Sequence, residues 1–137
     1  MNRVIYATHS GNTRKLAQAI ADELDIKIDP VERMKVMAPV DTLFLGTSIY
    51  AGTINAKIGL FLKKLEPNQV KRIVVFGTSG KGESIVQFVR NVVSEKGIEV
   101  SETEFHCKGS FLYFINRGRP NKEDIENVKK FAREVNG

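Results

Sequence analysis

The chain has 137 residues, 42% of them apolar and 27% charged, with a net charge of +5 and a single cysteine, Cys107. That length is near the usual size of one domain, so one domain over residues 1–137 is expected to hold all the chemistry. The composition excludes a disordered chain, the longest apolar runs are too short to span a membrane as a helix, and one cysteine excludes an internal disulfide.

Met1-Asn2-Arg3 leads directly into a strand-like run with no long apolar leader region, so a cytoplasmic location is expected. The basic pairs Arg14-Lys15, Lys63-Lys64, Lys71-Arg72 and Lys129-Lys130 are scattered among acidic residues and lack interleaved aromatics. They read as solvated helix faces and argue against a nucleic-acid platform. The excess positive charge would instead draw an acidic protein surface at long range.

In chain order, Val4-Ile5-Tyr6-Ala7 is a short buried strand that ends in the polar cluster from Thr8 to Asn12. Leu16, Ile20 and Leu24, with Ala17 and Ala21 beside them, form the apolar stripe of a first crossover helix. Ile26-Lys27-Ile28 alternates and stops at Asp29-Pro30, as a short edge strand would. Thr42 to Gly46 is a second buried strand, followed by a polar turn and then Ile54, Ile58, Phe61, Leu62 and Leu65 at helical spacing. The cycle repeats with the strand Ile73 to Phe76, a turn from Gly77 to Gly82, and a helix carrying Ile85, Val86, Val89, Val92 and Val93 that Gly97 ends. Ile98, Val100, Phe105 and Cys107 mark a more exposed last strand. A closing helix with Ile125, Val128, Ala132 and Val135 follows Pro120.

Alternating strands and helices define an α/β fold, because right-handed crossovers make the strands parallel and put helices on both faces. The expected architecture is a three-layer sandwich around a five-stranded parallel sheet of order 2-1-3-4-5, with its ligand outside the C-terminal strand ends where the strand order reverses.

The turn at the end of the first strand is Thr8-His9-Ser10-Gly11-Asn12-Thr13, with three hydroxyls, an amide and a glycine in six residues before a helix. Backbone N–H groups of a first helical turn lack intrahelical partners and carry the positive end of the macrodipole. Short hydroxyl side chains add donors without blocking the backbone, so the composition suits a phosphate dianion and needs no metal. The Gly-x-x-x-x-Gly-Lys-Ser/Thr phosphate loop of nucleoside triphosphatases is absent, because Gly77-Thr78-Ser79-Gly80-Lys81-Gly82 has the wrong spacing. No paired carboxylates follow the first strand to hold magnesium.

This turn resembles the phosphate loop of the flavodoxin family, Thr/Ser-x-Thr/Ser-Gly-x-Thr, and matches it at every defining position. The resemblance extends over essentially the whole chain and implies a flavodoxin-like fold with FMN as the cofactor. It carries the phosphate to Thr8, His9, Ser10, Gly11, Asn12 and Thr13. It carries the isoalloxazine ring to Thr47, Ser48, Tyr50, Ala51 and Gly52 of the second turn, with Tyr50 as the stacking aromatic, and to Thr78, Ser79, Gly80, Lys81 and Gly82 of the third. Gly46 to Gly52 is especially similar to the short branch that includes bacterial protoporphyrinogen oxidase. A phenol ring stacked on oxidised flavin favours that state, whereas Lys81 near the ring would stabilise anionic reduced flavin and raise its potential.

Other residues carry weaker expectations. His9 would make FMN affinity depend on pH through its charge. His106 and Cys107 are adjacent on a strand and point to opposite faces, so they form no nucleophile–base pair, and Cys107 is expected in the core. Phe111-Leu112-Tyr113-Phe114-Ile115 is apolar enough to cover a ring or meet a substrate, and Arg117 and Arg119 beside it suit an acidic partner.

The resemblance implies an electron-transfer protein that meets reductase and acceptor proteins transiently and needs no catalytic side chain. Two alternatives stand beside it. One is an FMN-dependent oxidoreductase acting on a small apolar quinone or porphyrinogen near Phe111 to Phe114, and the other an activator of a ribonucleotide reductase.

Overall fold

The computed structural model describes residues 1–7, 11–34, 39–50, 53–79, 85–108 and 119–136, with only the backbone described at Tyr50, Ser79 and Lys108. Its elements run β1 (Asn2–Tyr6), α1 (Asn12–Leu24), β2 (Lys27–Pro30), β3 (Val40–Tyr50), β4 (Thr53–Ile54), α2 (Ala56–Lys64), β5 (Val70–Ser79), α3 (Val86–Val93), β6 (Glu99–Val100), β7 (Phe105–Lys108) and α4 (Lys122–Asn136). Short 3-10 turns at Val31–Arg33 and Ser94–Lys96 follow β2 and α3.

The sheet follows the path β2-β1-β3-β5-β6 and is parallel along it. It has seven strands where five were expected. The difference has two sources. β4 folds back antiparallel on the end of β3, with Ile49 opposite Ile54 and Tyr50 opposite Thr53. The expected last strand is broken: β6 pairs with Arg72 and Ile73 of β5, and β7 pairs with Phe76 to Ser79. Residues 101–104 interrupt it, and their polar sequence Ser-Glu-Thr-Glu offers no apolar side chain to either face.

Alternation along the central strands sends side chains to two cores. Leu43, Leu45, Ile73 and Val75 pack with Ile58 and Leu62 of α2 and Val89 and Val93 of α3. Val4, Phe44, Val74 and Phe76 pack with Leu16 and Ile20 of α1 and Val128 and Phe131 of α4. The α2 and α3 layer, the sheet, and the α1 and α4 layer make the expected sandwich. At the opposite end from the strand C-termini, the Arg72 guanidinium donates to the Val135 carbonyl at 3.0 Å, placing a cation on the negative end of α4.

Two expected turns are strand. Gly46 to Tyr50 continues β3 and Gly77 to Ser79 continues β5, paired residue for residue from Gly46 opposite Phe76 to Ile49 opposite Ser79. The glycines mark close approaches in the sheet, as strand glycines often do. A Cβ on Gly46 would lie 2.4 Å from the Phe76 ring and 3.0 Å from Thr13 Cγ2. The sequence signal of a glycine ending an apolar run was therefore packing, not chain reversal.

Candidate functional site at the C-terminal strand ends

Right-handed crossovers bring each helix N-terminus to the C-terminal end of the strand before it. Four helices therefore present their positive ends on one edge. Side chains of the chain itself close the starts of α2, α3 and α4.

At α2, Asn55 Oδ1 accepts the Lys57 N–H at 2.9 Å, while the Asn55 N–H donates to Thr47 Oγ1 at 3.2 Å. At α3, the Glu104 carboxylate reaches across from the start of β7 and accepts the N–H groups of Ile85 at 3.0 Å and Val86 at 2.8 Å through Oε2. At α4, Asn121 and Asp124 cap one another: the Asp124 N–H donates to Asn121 Oδ1 at 2.9 Å and the Asn121 N–H to Asp124 Oδ2 at 2.8 Å. This reciprocal arrangement is a capping box. Burial pushes the Asp124 carboxyl up, but the Arg119 guanidinium and the Asn121 N–H outweigh it and hold the group below its ordinary value. Arg119, which the sequence offered to an acidic partner, pairs within the chain with Asp124 through Nε and Nη2.

At α1 the cap position is Gly11, in the left-handed region at φ 86°. Beneath it the first turn is fixed by packing. Thr13 is fully buried, and its hydroxyl lies 3.3 Å from that of Thr78. Thr78 pairs in the sheet with Ser48. Gly46, lacking a Cβ, lets Thr13 settle on β3. Ser48, Thr78 and Thr13 thus bring three hydroxyls together on the α1 face of the sheet. The Ser48 Oγ is buried and has no hydrogen-bond partner among the described residues. A buried hydroxyl without a partner is costly, so this atom marks a place where an external polar group fits.

Of the residues predicted from sequence, Gly11, Asn12 and Thr13 lie at the start of α1, and Ser48 and Thr78 lie below it on the same face. Thr47 points to the opposite face, where its hydroxyl serves the α2 cap and donates to the Ser48 carbonyl. Tyr50 and Ser79 end β3 and β5. Thr8, His9, Ser10, Ala51, Gly52, Gly80, Lys81 and Gly82 lie outside the described residues, as do Phe111 to Ile115 and Arg117. Sequence reasoning missed Glu104 altogether. It also missed the Asn121-x-x-Asp124 box, although that spacing at a helix start was a readable local signal.

Cys107 is buried on β7, and burial first, then the Asp124 charge, pushes its thiol up to about 12. His106, on the other face, lies with Nε2 3.6 Å from Glu104 Oε1. Among the described residues no three His, Cys, Asp or Glu side chains gather to hold a metal, and no helix is long and apolar enough to cross a membrane. A groove of about 370 Å³ runs along the outer flank of α2 beside Val31, Leu60 and Phe61 and contains none of the predicted site residues.

A doubly wound α/β sheet with a glycine-led helix start beside the strand-order reversal is the class of α/β protein whose C-terminal strand edge suits a phosphate-bearing ligand. A family model described as the flavodoxin domain matches residues 3–104. The chain is 32% identical over 139 residues to an uncharacterized protein of Methanocaldococcus jannaschii, covering 93% of this chain and 91% of that one. Among solved structures, a flavodoxin from the domain Archaea superposes with a TM-score of 0.75 at 14% identity, covering 98% of this chain and 96% of the other. Oxidised flavodoxin 2 from Bacillus cereus gives 0.69 at 18% identity, over 96% and 94% of the two chains. The protein belongs to the flavodoxin-domain family, and FMN is the cofactor that membership implies.

Proposed function

We propose that this protein is an electron carrier that holds one FMN at the C-terminal strand ends and exchanges electrons with partner proteins. One observation carries the reading: among the described residues the buried Ser48 hydroxyl has no hydrogen-bond partner, and it lies on the side of the sheet against which the glycine-led start of α1 packs. Residues 8–13, which the family resemblance carries to the phosphate, would hold that group, with the start of α1 supplying backbone donors. Ser48 and Thr78, with Tyr50 and residues 79–82, would hold the ribityl and ring portions. When bound, FMN supplies one- and two-electron redox chemistry, while the chain supplies position, charge and exclusion of water.

The net charge of +5 supports a transient encounter with an acidic partner surface. The quinone or porphyrinogen alternative rested on residues 111–114, outside the described residues, and no observation elsewhere favours it or the ribonucleotide reductase alternative. The cytoplasm is the location this carrier reading fits.

The test is an absorbance spectrum after adding FMN and removing the excess, followed by stepwise anaerobic reduction. Retained flavin bands that reduce reversibly and reoxidise on mixing with an acceptor protein are expected. Loss of all flavin on desalting refutes the assignment.

A further inference from the structure

We infer that Glu104 is a positioning residue of the flavin edge that also sets how readily the flavin is reduced, an inference that rests on the FMN reading above. Its carboxylate accepts two N–H groups, from Ile85 and Val86, across 19 and 18 residues of sequence. The side chain is only 14% exposed. Such charge-assisted bonds in a partly buried place are stronger than exposed ones.

The link reaches further than the cap. Glu104 precedes β7, whose Phe105 and His106 pair with Phe76 and Gly77. Ile85, which Glu104 fixes through its N–H, packs its Cδ1 onto Gly77, 2.5 Å from where a Cβ would be. Gly77 in turn lies against the Thr47 carbonyl. The carboxylate therefore ties the start of α3 and the start of β7 to the last residues of β5, from which the chain enters residues 80–82 that the family resemblance carries to the ring.

The second consequence is electrostatic. Glu104 places a carboxylate at the start of α3, on the C-terminal edge of the sheet where FMN would bind. Only part of its charge is offset by the α3 dipole. Among the described residues the groups facing it are the Ile85 and Val86 N–H groups at the positive end of α3 and the His106 ring on β7. A fixed anion disfavours anionic reduced flavin and holds the reduction potential down.

The experiment compares the FMN-loaded wild type with Glu104→Gln and Glu104→Ala, measuring the FMN dissociation constant, the reduction potentials and the thermal midpoint. Both variants are expected to show potentials above wild type, since both lose the charge. Glu104→Ala is expected to bind FMN about fivefold to tenfold more weakly, and Glu104→Gln, whose amide oxygen still accepts an N–H, within about threefold of wild type. Potentials unchanged in both variants overturn the inference, even where the thermal midpoint falls, because a cap with a purely structural role moves stability alone. Should the wild type itself retain no FMN, the carrier reading fails and this inference falls with it.

Discussion

Gly77 and Thr47 approach so closely across β3 and β5 that a Cβ on Gly77 would lie 1.9 Å from the Thr47 carbonyl oxygen. The obstacle is backbone and cannot swing aside. Gly77→Ala is expected to destabilise the protein by about 3 kcal/mol, the upper part of the overpacking range, because paired strands must separate to admit the methyl group. Gly46→Ala meets the tip of the Phe76 ring and should cost less, about 1–2 kcal/mol. Urea unfolding of the two variants checks both the size and the order.

Ser48→Ala separates the folded chain from the holoprotein. Without FMN the hydroxyl has no partner among the described residues, so its removal is expected to leave stability unchanged or raise it by up to about 1 kcal/mol. With FMN the same variant should bind about fivefold more weakly, the loss of one neutral hydrogen bond. Calorimetry on both forms reads the two effects. Equal FMN affinity in variant and wild type would show that the hydroxyl meets no ligand.

Asp41 joins the N-terminal ammonium at 2.8 Å and Lys71 at 3.0 Å. These partners hold its carboxyl down at about 2, against an ordinary 3.8. Because the folded value is the lower one, the stabilisation is complete above pH 3.8 and is lost as the pH falls through about 2. Asp41→Asn should flatten the acid limb of the stability curve between about pH 4 and 2 and leave its slope near neutrality unchanged. The pair is exposed, so added salt should shrink the difference.

Cys107 should resist modification. With its thiol pushed up to about 12, almost none is thiolate at pH 8, and the side chain is buried. Iodoacetamide is expected to label native protein at least about a hundredfold more slowly than urea-unfolded protein. Equal rates would place Cys107 at the surface.

The three-layer order was legible because each crossover helix carries its own apolar stripe and each central strand is a bare apolar run, both local signals. The ends of β3 and β5 were not. Thr47-Ser48 and Thr78-Ser79 are polar residues beside glycines and read as turns; only the tertiary pairing of the two strands, and the Phe76 ring over Gly46, make them sheet. The α1 start was legible at once from its hydroxyls and glycine. Glu104 was not, since its two bonds span most of α3 and the strand after it, and no short spacing signals such a contact.

The broken edge formed by β6 and β7 has a consequence for the company the protein keeps. A sheet margin with an uninterrupted row of free N–H and C=O groups invites a strand from another molecule. Here one margin offers a two-residue and a four-residue piece separated by Ser101 to Glu104, and the other a four-residue strand that stops at Pro30. Neither is a long flat template. Among the described residues, then, neither margin gives another molecule's strand a long row of backbone groups on which to extend the sheet.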